Sequence, residues 1–119
     1  RIAIGTFAGL PLTPAIATEQ FVFVTGQVGS RTDGTYPADI TEQTRITLDK
    51  MAALLEAADS SMADVVKTTV WLRDRDDFPA FNAVYAEYFP HQPPARSTAE
   101  SRLMIDIAVE IEAIAYAPR

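Results

Sequence analysis

The sequence predicts an α+β fold in which a single β-sheet carries two helices on one face. Three observations support this prediction: segments rich in β-branched and aromatic residues, two segments with helical periodicity, and their alternation along the chain in the order β-α-β-α-β-β. With 119 residues, 48% of them hydrophobic, the chain is long enough for one domain over residues 1–119 that buries its own core.

The N-terminal part is expected to be an irregular arm followed by a strand. Residues 1–20 show only a weak alternation, and Gly9 marks a turn. Residues 21–29, with the sequence FVFVTGQVG, combine β-branched and aromatic residues and end at glycine, which predicts a strong strand. A loop follows, and the pair Asp33 and Gly34 is its turn signal.

A long helix is predicted after this loop. Asp39 is typical of an N-cap, and Glu42 three residues later completes a capping-box pattern. The helix is expected to end near Asp59, where glycine is the commoner residue. Its apolar stripe follows helical spacing and comprises Ile40, Thr44, Leu48, Met51, Leu54, Leu55 and Ala58.

A second helix is predicted in the C-terminal half. Asp76 or Asp77 caps it, and Pro79 falls in its first turn, where the missing N–H costs little. Its apolar stripe comprises Phe78, Phe81, Tyr85 and Tyr88. The remaining predicted strands cover residues 65–73, 95–101 and 108–116.

The strand patterns predict two unlike faces of the sheet. In the last strand one face carries Val109, Ile111 and Ala113, and the other carries Glu110, Glu112, Ile114 and Tyr116. In the first strong strand one face carries Val22, Val24 and Val28, and the other carries Phe21, Phe23, Thr25 and Gln27. The helices cover one face, and the mixture of large apolar and polar groups on the other suits water poorly. We interpret it as covered by a second copy of the chain, the alternative being scattered surface hydrophobes.

Composition excludes several classes of function. A formal net charge of −6 argues against binding along a nucleic-acid backbone, so no nucleic-acid partner is expected. The absence of cysteine excludes disulfides and thiolate metal sites. No apolar run has the length of a membrane span and no signal-peptide pattern is visible, so no membrane association is expected. Because the chain starts at Arg1 rather than Met, a preceding segment is left open, and a cytoplasmic location is only an expectation.

Candidate catalytic residues are few. His91 lies after the second helix and before two prolines, where capping of the helix end is the simplest role, and neither a catalytic triad nor a metal-ligand spacing surrounds it. Arg96 opens a strand, and its planar guanidinium suits bidentate binding of a carboxylate. On spacing alone a structural ion pair is an equally open reading for Arg96, and Glu110 is open to a surface role or a general-base role.

Several short motifs, taken together, closely resemble the YjgF/YER057c/UK114 family, also called the Rid (reactive intermediate deaminase) family. They cover nearly the whole chain from residue 21 onward and appear in the family's order. They are FVTGQ at residues 23–27, DI with QTR at 39–45, VVKTTV at 65–70, DDF with FN and Y at 76–85, PARS at 94–97, and EIEAIA at 110–115.

The resemblance implies a fold, an assembly and an activity. The fold is chorismate-mutase-like, assembled as a homotrimer whose sheets face inward and whose ligand clefts lie between subunits. Members with the arginine hydrolyse reactive enamine and imine intermediates, such as 2-aminoacrylate and related 2-imino acids, to 2-keto acids and ammonia. No cofactor or metal is implied. Such imines hydrolyse in water unaided, so holding the carboxylate and placing one water is a sufficient task for an enzyme.

The resemblance also assigns residues. Arg96 corresponds to the arginine that binds the substrate carboxylate, and Glu110 to the acid that positions or activates water. Thr25 stands where serine is common, next to Gly26 in the cleft wall. Leu12 replaces a cleft tyrosine. Residues 101–106, which line the cleft in the family, are one residue shorter, and Met104 replaces a usual proline, so the substrate is expected to differ.

Two other functions are compatible with parts of the same sequence. A non-catalytic trimer that binds small carboxylates would need Arg96 but not Glu110. A nuclease or translation inhibitor, as attributed to some relatives, would need a basic surface, and the acidic composition counts against it.

Overall fold

The computed structural model describes residues 1–117 as one six-stranded sheet with two helices, which confirms the α+β prediction. The strand order is β1-β2-β3-β6-β4-β5, and every neighbouring pair is antiparallel except β4 with β5, which is parallel. The elements are β1 (Ile2–Ile4), β2 (Ala15–Ala17), β3 (Phe21–Val28), α1 (Ile40–Ala57), β4 (Val65–Leu72), α2 (Phe78–Tyr88), β5 (Ala95–Glu100) and β6 (Val109–Tyr116).

The N-terminal arm is more regular than its sequence predicts. β1 and β2 are short strands that continue the sheet beyond β3, with Ile2 opposite Ala17. Ala15 and Ala17 are fully buried although alanine is a weak strand former. The strand therefore forms because β3 offers a pairing edge, which is information that local propensity does not contain.

Helix α1 begins and ends as predicted. The Asp39 carboxylate accepts a hydrogen bond of 2.7 Å from the backbone N–H of Glu42. Asp59 follows the helix with a φ of 60°, the left-handed conformation that terminates a helix. The apolar stripe is buried except for Leu54, which is half-buried. The N-cap and the stripe together fix which face of α1 packs on the sheet.

The capping of α2 differs from the prediction. A 3₁₀ turn at Arg75–Asp77 precedes the helix, and the carboxylate that caps this turn belongs to Asp74, which accepts from the N–H of Asp76. Asp77 stands before Phe78 but makes no capping hydrogen bond, because its backbone is already helical (φ −78°, ψ −5°) and not extended. Pro79 occupies the first turn as predicted.

The faces of the sheet follow the predicted alternation in β6 but not throughout β3. In β6 the predicted core face is buried and the other face is exposed or half-buried. In β3 a bulge after Val24 shifts the register by one residue, so that Gln27 lies opposite Ile111 and Val28 opposite Glu110. Gln27 therefore lies on the helix face and Val28 on the open face, and the predicted faces of these two residues were wrong.

The face of the sheet away from the helices, called the open face below, exposes aromatic side chains. Phe23 is 44% exposed and Tyr116 is 50% exposed. Phe21 packs between them, with ring-centroid distances of 6.4 Å to Phe23 and 6.3 Å to Tyr116. An apolar aromatic patch of this kind is typical of a surface that binds another protein.

Within residues 1–117 no helix is long and apolar enough to cross a membrane.

Candidate functional site

A cavity of about 630 Å³ lies along β3 beyond Val24, where β2 no longer pairs with the strand. The N-terminal arm, α1 and the loop between β5 and β6 form its other walls. The structure brings four residues singled out from the sequence together in this cavity. They are Leu12, Thr25, Gly26 and Glu110.

Thr25 connects the N-terminal arm to β3 through two hydrogen bonds. Its hydroxyl donates to the backbone oxygen of Thr13 at 2.5 Å, and its N–H donates to the backbone oxygen of Pro14 at 2.9 Å. The hydroxyl proton is thus engaged by the chain itself, which leaves the oxygen lone pairs as acceptors. These bonds hold Leu12 at the cavity wall.

Gly26 leaves room for the carboxylate of Glu110. A Cβ at position 26 would lie 2.2 Å from Oε2 and 2.9 Å from Cδ of Glu110. Real Cβ atoms essentially never approach another atom so closely, so any larger residue at position 26 would displace the carboxylate. Glycine here is a requirement of close approach, since the φ of Gly26 is not in the left-handed region.

Glu110 is a half-buried carboxylate that has no partner among the residues that the structure describes. Burial raises its pKa above the ordinary value of 4.5, and the like charge of Glu112 on the same face raises it further. Among residues 1–117 it forms no ion pair and no side-chain hydrogen bond. A carboxylate with a raised pKa and free lone pairs is suited to take a proton from a water molecule.

Arg96 lies in a different environment, against α2 on the helix face of the sheet. Its guanidinium stacks on three rings, with distances from Cζ to the ring centroid of 4.8 Å for Tyr85, 5.5 Å for Phe78 and 5.7 Å for Phe81. Nη1 donates to Oδ1 of Asn82 at 2.9 Å. Cation–π stacking and this hydrogen bond hold the guanidinium plane in one orientation.

The alternative reading of Arg96 as a structural ion pair finds no support among residues 1–117. The two ion pairs described there join Arg45 to Glu87 and Arg73 to Asp106. The N–H groups of Arg96 other than the one bonded to Asn82 donate to no protein acceptor in that part of the chain. Arg96 therefore presents unused donors of the kind that bind a carboxylate.

Arg96 and Glu110 do not share a site within one chain. Arg96 pairs in register with Thr68, whose hydroxyl is buried against Tyr85 of α2, whereas Glu110 lies opposite Trp71 on the open face. β5 and β6 are two strands apart, which is about 10 Å at the usual strand spacing. A small ligand cannot contact both side chains across the sheet.

The residues that replace the family's usual cleft residues also reach the cavity. Leu12 is 38% exposed there, and Met104 and Ile105 extend from the loop between β5 and β6. Met104 is 93% exposed, so this part of the wall is open in the single chain. His91 lies elsewhere, beside a smaller cavity at the end of α2.

Three contributions to these sites were not predicted from the sequence: Asn82, the ring cluster around Arg96, and Lys50. Asn82 and the ring cluster orient Arg96, and positions 78, 81, 82 and 85 at helical spacing were a usable signal for one common face. Lys50 lines the cavity from α1, and nothing in the local pattern distinguishes it from a solvated lysine. Within residues 1–117 there is no cluster of three or more His, Asp or Glu residues that could hold a metal ion.

The fold and the site define a class: small α+β proteins with a mixed sheet, two helices on one face and a cavity that contains a half-buried carboxylate. The sequence pattern described as Endoribonuclease L-PSP matches residues 7–117. The chain belongs to this family, which confirms the resemblance to the YjgF group.

Related sequences carry two kinds of name. A RutC family protein of Pyrococcus horikoshii is 47% identical over 109 residues, which are 89% of this chain and 86% of that protein. The 2-iminobutanoate/2-iminopropanoate deaminase of Escherichia coli K12 is 38% identical over 110 residues, which are 88% of this chain and 86% of that protein. The relatives thus include imine deaminases.

Solved structures agree with the fold in detail. TdcF from E. coli, crystallised with bound serine, has a TM-score of 0.92 at 34% identity, and the match covers 98% of both chains. RidA from an Antarctic Psychrobacter has a TM-score of 0.92 at 30% identity, covering 98% of this chain and 99% of that one.

Proposed function

We propose that this protein hydrolyses 2-imino acids to 2-keto acids and ammonia without a cofactor. The observation that carries the proposal is the carboxylate of Glu110, which has no ion-pair partner within residues 1–117, lies over Gly26 in a cavity and has its pKa raised by burial. The 38% identity with the E. coli 2-iminobutanoate/2-iminopropanoate deaminase supports the same reaction class.

The proposal includes an assembly, because one chain holds the two reactive side chains on opposite faces of its sheet. We place Arg96 of a partner subunit at the cavity that contains Glu110. The exposed aromatic residues of the open face support such an association, and β5, which carries Arg96, is an edge strand that a neighbour can approach. The arrangement we propose is a homotrimer with open faces turned inward, in which each contact forms one site.

The reaction then follows from the two side chains. Arg96 of the partner subunit binds the substrate carboxylate, since Asn82 and the ring cluster already fix the guanidinium plane. Glu110 accepts a proton from water as the water oxygen bonds to the imine carbon, and it passes this proton to the imine nitrogen to give a carbinolamine. The carbinolamine hydroxyl then gives its proton, through Glu110, to the nitrogen. As the C=O bond forms, the C–N bond breaks, ammonia leaves and Glu110 is ionised again.

Hydrolysis of imino acids tests the activity. Purified protein is added to 2-iminobutanoate generated in situ by an amino-acid oxidase, and the unhydrolysed imine is trapped chemically. We expect the protein to reduce trapping and to increase 2-ketobutanoate and ammonia. Glu110→Gln keeps the shape of the side chain but not the base, so it should lower kcat roughly 10²- to 10⁴-fold. Wild-type protein that leaves trapping unchanged would refute the proposed activity.

A mixing experiment tests the shared site. Arg96→Ala and Glu110→Gln proteins are each inactive in the proposal, but a mixed assembly contains some sites with both native side chains. Unfolding and refolding the two variants together should restore part of the activity, and each variant refolded alone serves as the control. If each chain held a complete site, mixing would restore nothing.

A binding module without catalysis is the second candidate, because the neighbour TdcF is described with bound serine rather than with a product. In that case Glu110→Gln would retain carboxylate binding and wild type would show no turnover. RNA cleavage, suggested by the family's description, would need RNA binding at physiological salt, which the net charge of −6 disfavours. A cytoplasmic location stays a prediction.

A further inference from the structure

Lys50 extends from α1 to the wall of the cavity that contains Glu110. Its ammonium nitrogen donates to the backbone oxygen of Val28 and to Oγ of Ser30, each at 2.9 Å. An ammonium group has three N–H donors. The third has no acceptor among residues 1–117, so the structure leaves one charged donor at the cavity wall.

The charge of Lys50 is also unbalanced. No ion pair with any carboxylate of residues 1–117 involves it, although Glu110 lines the same cavity. Burial lowers the pKa of Lys50, which is the expected effect of removing a cation from water without giving it a counter-ion. Buried charges in proteins are usually paired, and a ligand anion at this wall would give Lys50 a counter-ion that residues 1–117 do not supply.

The cavity wall around Lys50 is mostly apolar, so the ammonium group can distinguish ligands that carry an anionic group from ligands that do not. Most of the lining is apolar and includes Phe7, Leu10, Leu12, Leu54 and Ile105. Among the described lining residues the charged side chains are Lys50 and Glu110, so a ligand in this cavity meets an apolar surface with a cation and a carboxylate. The volume of about 630 Å³ falls in the range of sites for drug-sized molecules, well above what a three- or four-carbon monoacid needs.

We propose that Lys50 binds a second acidic group on the substrate side chain, so that the site takes dicarboxylic 2-imino acids of the 2-iminosuccinate type. The inference rests on the proposed function, in which the partner's Arg96 binds the first carboxylate and Glu110 serves the imine carbon. Lys50 is then a specificity residue, which distinguishes a diacid from a monoacid of the same length.

The test compares two substrates that differ only at the distal group. 2-Iminosuccinate and 2-iminobutanoate have the same number of carbons, and suitable oxidases generate each from its amino acid. Wild type should show the higher kcat/KM for the diacid. Lys50→Met should lower kcat/KM for the diacid roughly tenfold to a hundredfold, the loss of one charged hydrogen bond, and far more than for the monoacid. Lys50→Arg should retain part of the preference.

Arg45→Met is the matched control, because it removes one positive charge from the same helix at a surface ion pair with Glu87. It should leave the preference for the diacid as in wild type. Equal losses on both substrates in Lys50→Met would show that Lys50 only holds Val28 and Ser30, and would overturn the inference. The inference would also be overturned if the wild-type protein showed no preference for the diacid, and this measurement does not depend on whether a variant folds.

Equilibrium binding separates failure of this inference from failure of the proposed function. Succinate and butanoate, which cannot react, are titrated into wild type and Lys50→Arg by calorimetry. If no imino acid is hydrolysed but succinate binds more tightly than butanoate, and Lys50→Arg weakens that difference, the diacid site stands and the enzyme proposal fails. If succinate has no advantage, the inference fails even where hydrolysis of 2-iminobutanoate upholds the enzyme.

Discussion

Replacing Gly26 with alanine should strongly lower the activity of this protein and leave its free energy of unfolding nearly unchanged. The new Cβ would lie 2.2 Å from Oε2 of Glu110, and the next contacts are also atoms of that side chain. An ordinary contact begins at 3.4 Å, so the carboxylate must move by about 1 Å. Because the obstructing atom is the end of a flexible side chain, it can move without shifting the backbone.

The two expected magnitudes differ widely. A displaced Glu110 side chain off its preferred rotamer costs about 0.5–1.5 kcal/mol. The lower entropy of the unfolded chain with alanine in place of Gly26 returns about 0.4–1 kcal/mol. The free energy of unfolding should therefore change by less than about 1 kcal/mol. A misplacement of about 1 Å in a catalytic group can cost roughly a hundredfold in rate.

The assay measures kcat for 2-iminobutanoate and thermal unfolding of the same samples, with Gly29→Ala as the contrasting variant. A Cβ at Gly29 would lie 2.6 Å from the backbone oxygen and 2.7 Å from Cα of Gln43, in α1. Backbone cannot move aside cheaply, so Gly29→Ala should destabilise the fold by about 1–3 kcal/mol. Gly26→Ala is thus expected to lower kcat with little change in stability, whereas Gly29→Ala is expected to lower the free energy of unfolding.

A double variant identifies the cause of the loss in Gly26→Ala. If the alanine acts only by moving Glu110, combining it with Glu110→Gln should lower kcat no further than Glu110→Gln alone. Full activity in Gly26→Ala would refute the role assigned to the carboxylate. Additive losses in the double variant would show that Gly26 acts on something else.

Four further predictions concern pH (activity and stability), ligand binding and assembly. Since the base must be ionised, kcat/KM should rise with pH through the raised pKa of Glu110, and Glu112→Gln, which removes the like charge, should move this limb of the pH–rate profile to lower pH. Between the ordinary pKa of 4.5 and the raised pKa, Glu110 binds more protons in the folded state than in the unfolded state. The contribution of Glu110 to the free energy of unfolding should therefore fall as pH rises through that window. Thermal unfolding of wild type and Glu110→Gln at a series of pH values checks this. Arg96→Lys keeps the charge but loses the planar fork and the ring stacking, and calorimetry should show carboxylate binding weakened roughly tenfold or more; unchanged affinity would remove Arg96 from the site. Phe23→Asp should reduce the mass in sedimentation experiments if the open face is an interface, and an unchanged mass would contradict the proposed assembly.

Features set by neighbouring residues were predicted well. The N-cap of α1 at Asp39 and its end at Asp59 depend on local backbone geometry and a single side-chain hydrogen bond. The alternation in β6 depends only on the two-residue period of a strand. The placement of Leu12, Thr25, Gly26 and Glu110 in one cavity was also expected, but from the family resemblance rather than from spacing.

Features set by distant pairing were not predicted. The bulge after Val24 shifts the register of β3 against β6 by one residue, and it reverses the faces of Gln27 and Val28. The capping carboxylate before α2 belongs to Asp74, because a 3₁₀ turn at Arg75–Asp77 precedes the helix along the chain. The bulge depends on the pairing of β3 with β6, which no local pattern encodes, whereas the Asp74 cap is a local hydrogen bond that the capping pattern did not distinguish from a cap at Asp76 or Asp77.

The sequence by itself determined the sheet with its two helices, the amphipathic faces and the residue types available for chemistry, because periodicity and capping act over a few residues. Only the tertiary structure decided where the chemistry can occur. It set Arg96 against α2 and Glu110 on the opposite face, through a strand order that separates them by β4. It also brought Lys50 into the cavity with Glu110. Side-chain direction follows from strand register and helix packing, and both are fixed only when segments far apart in the chain meet.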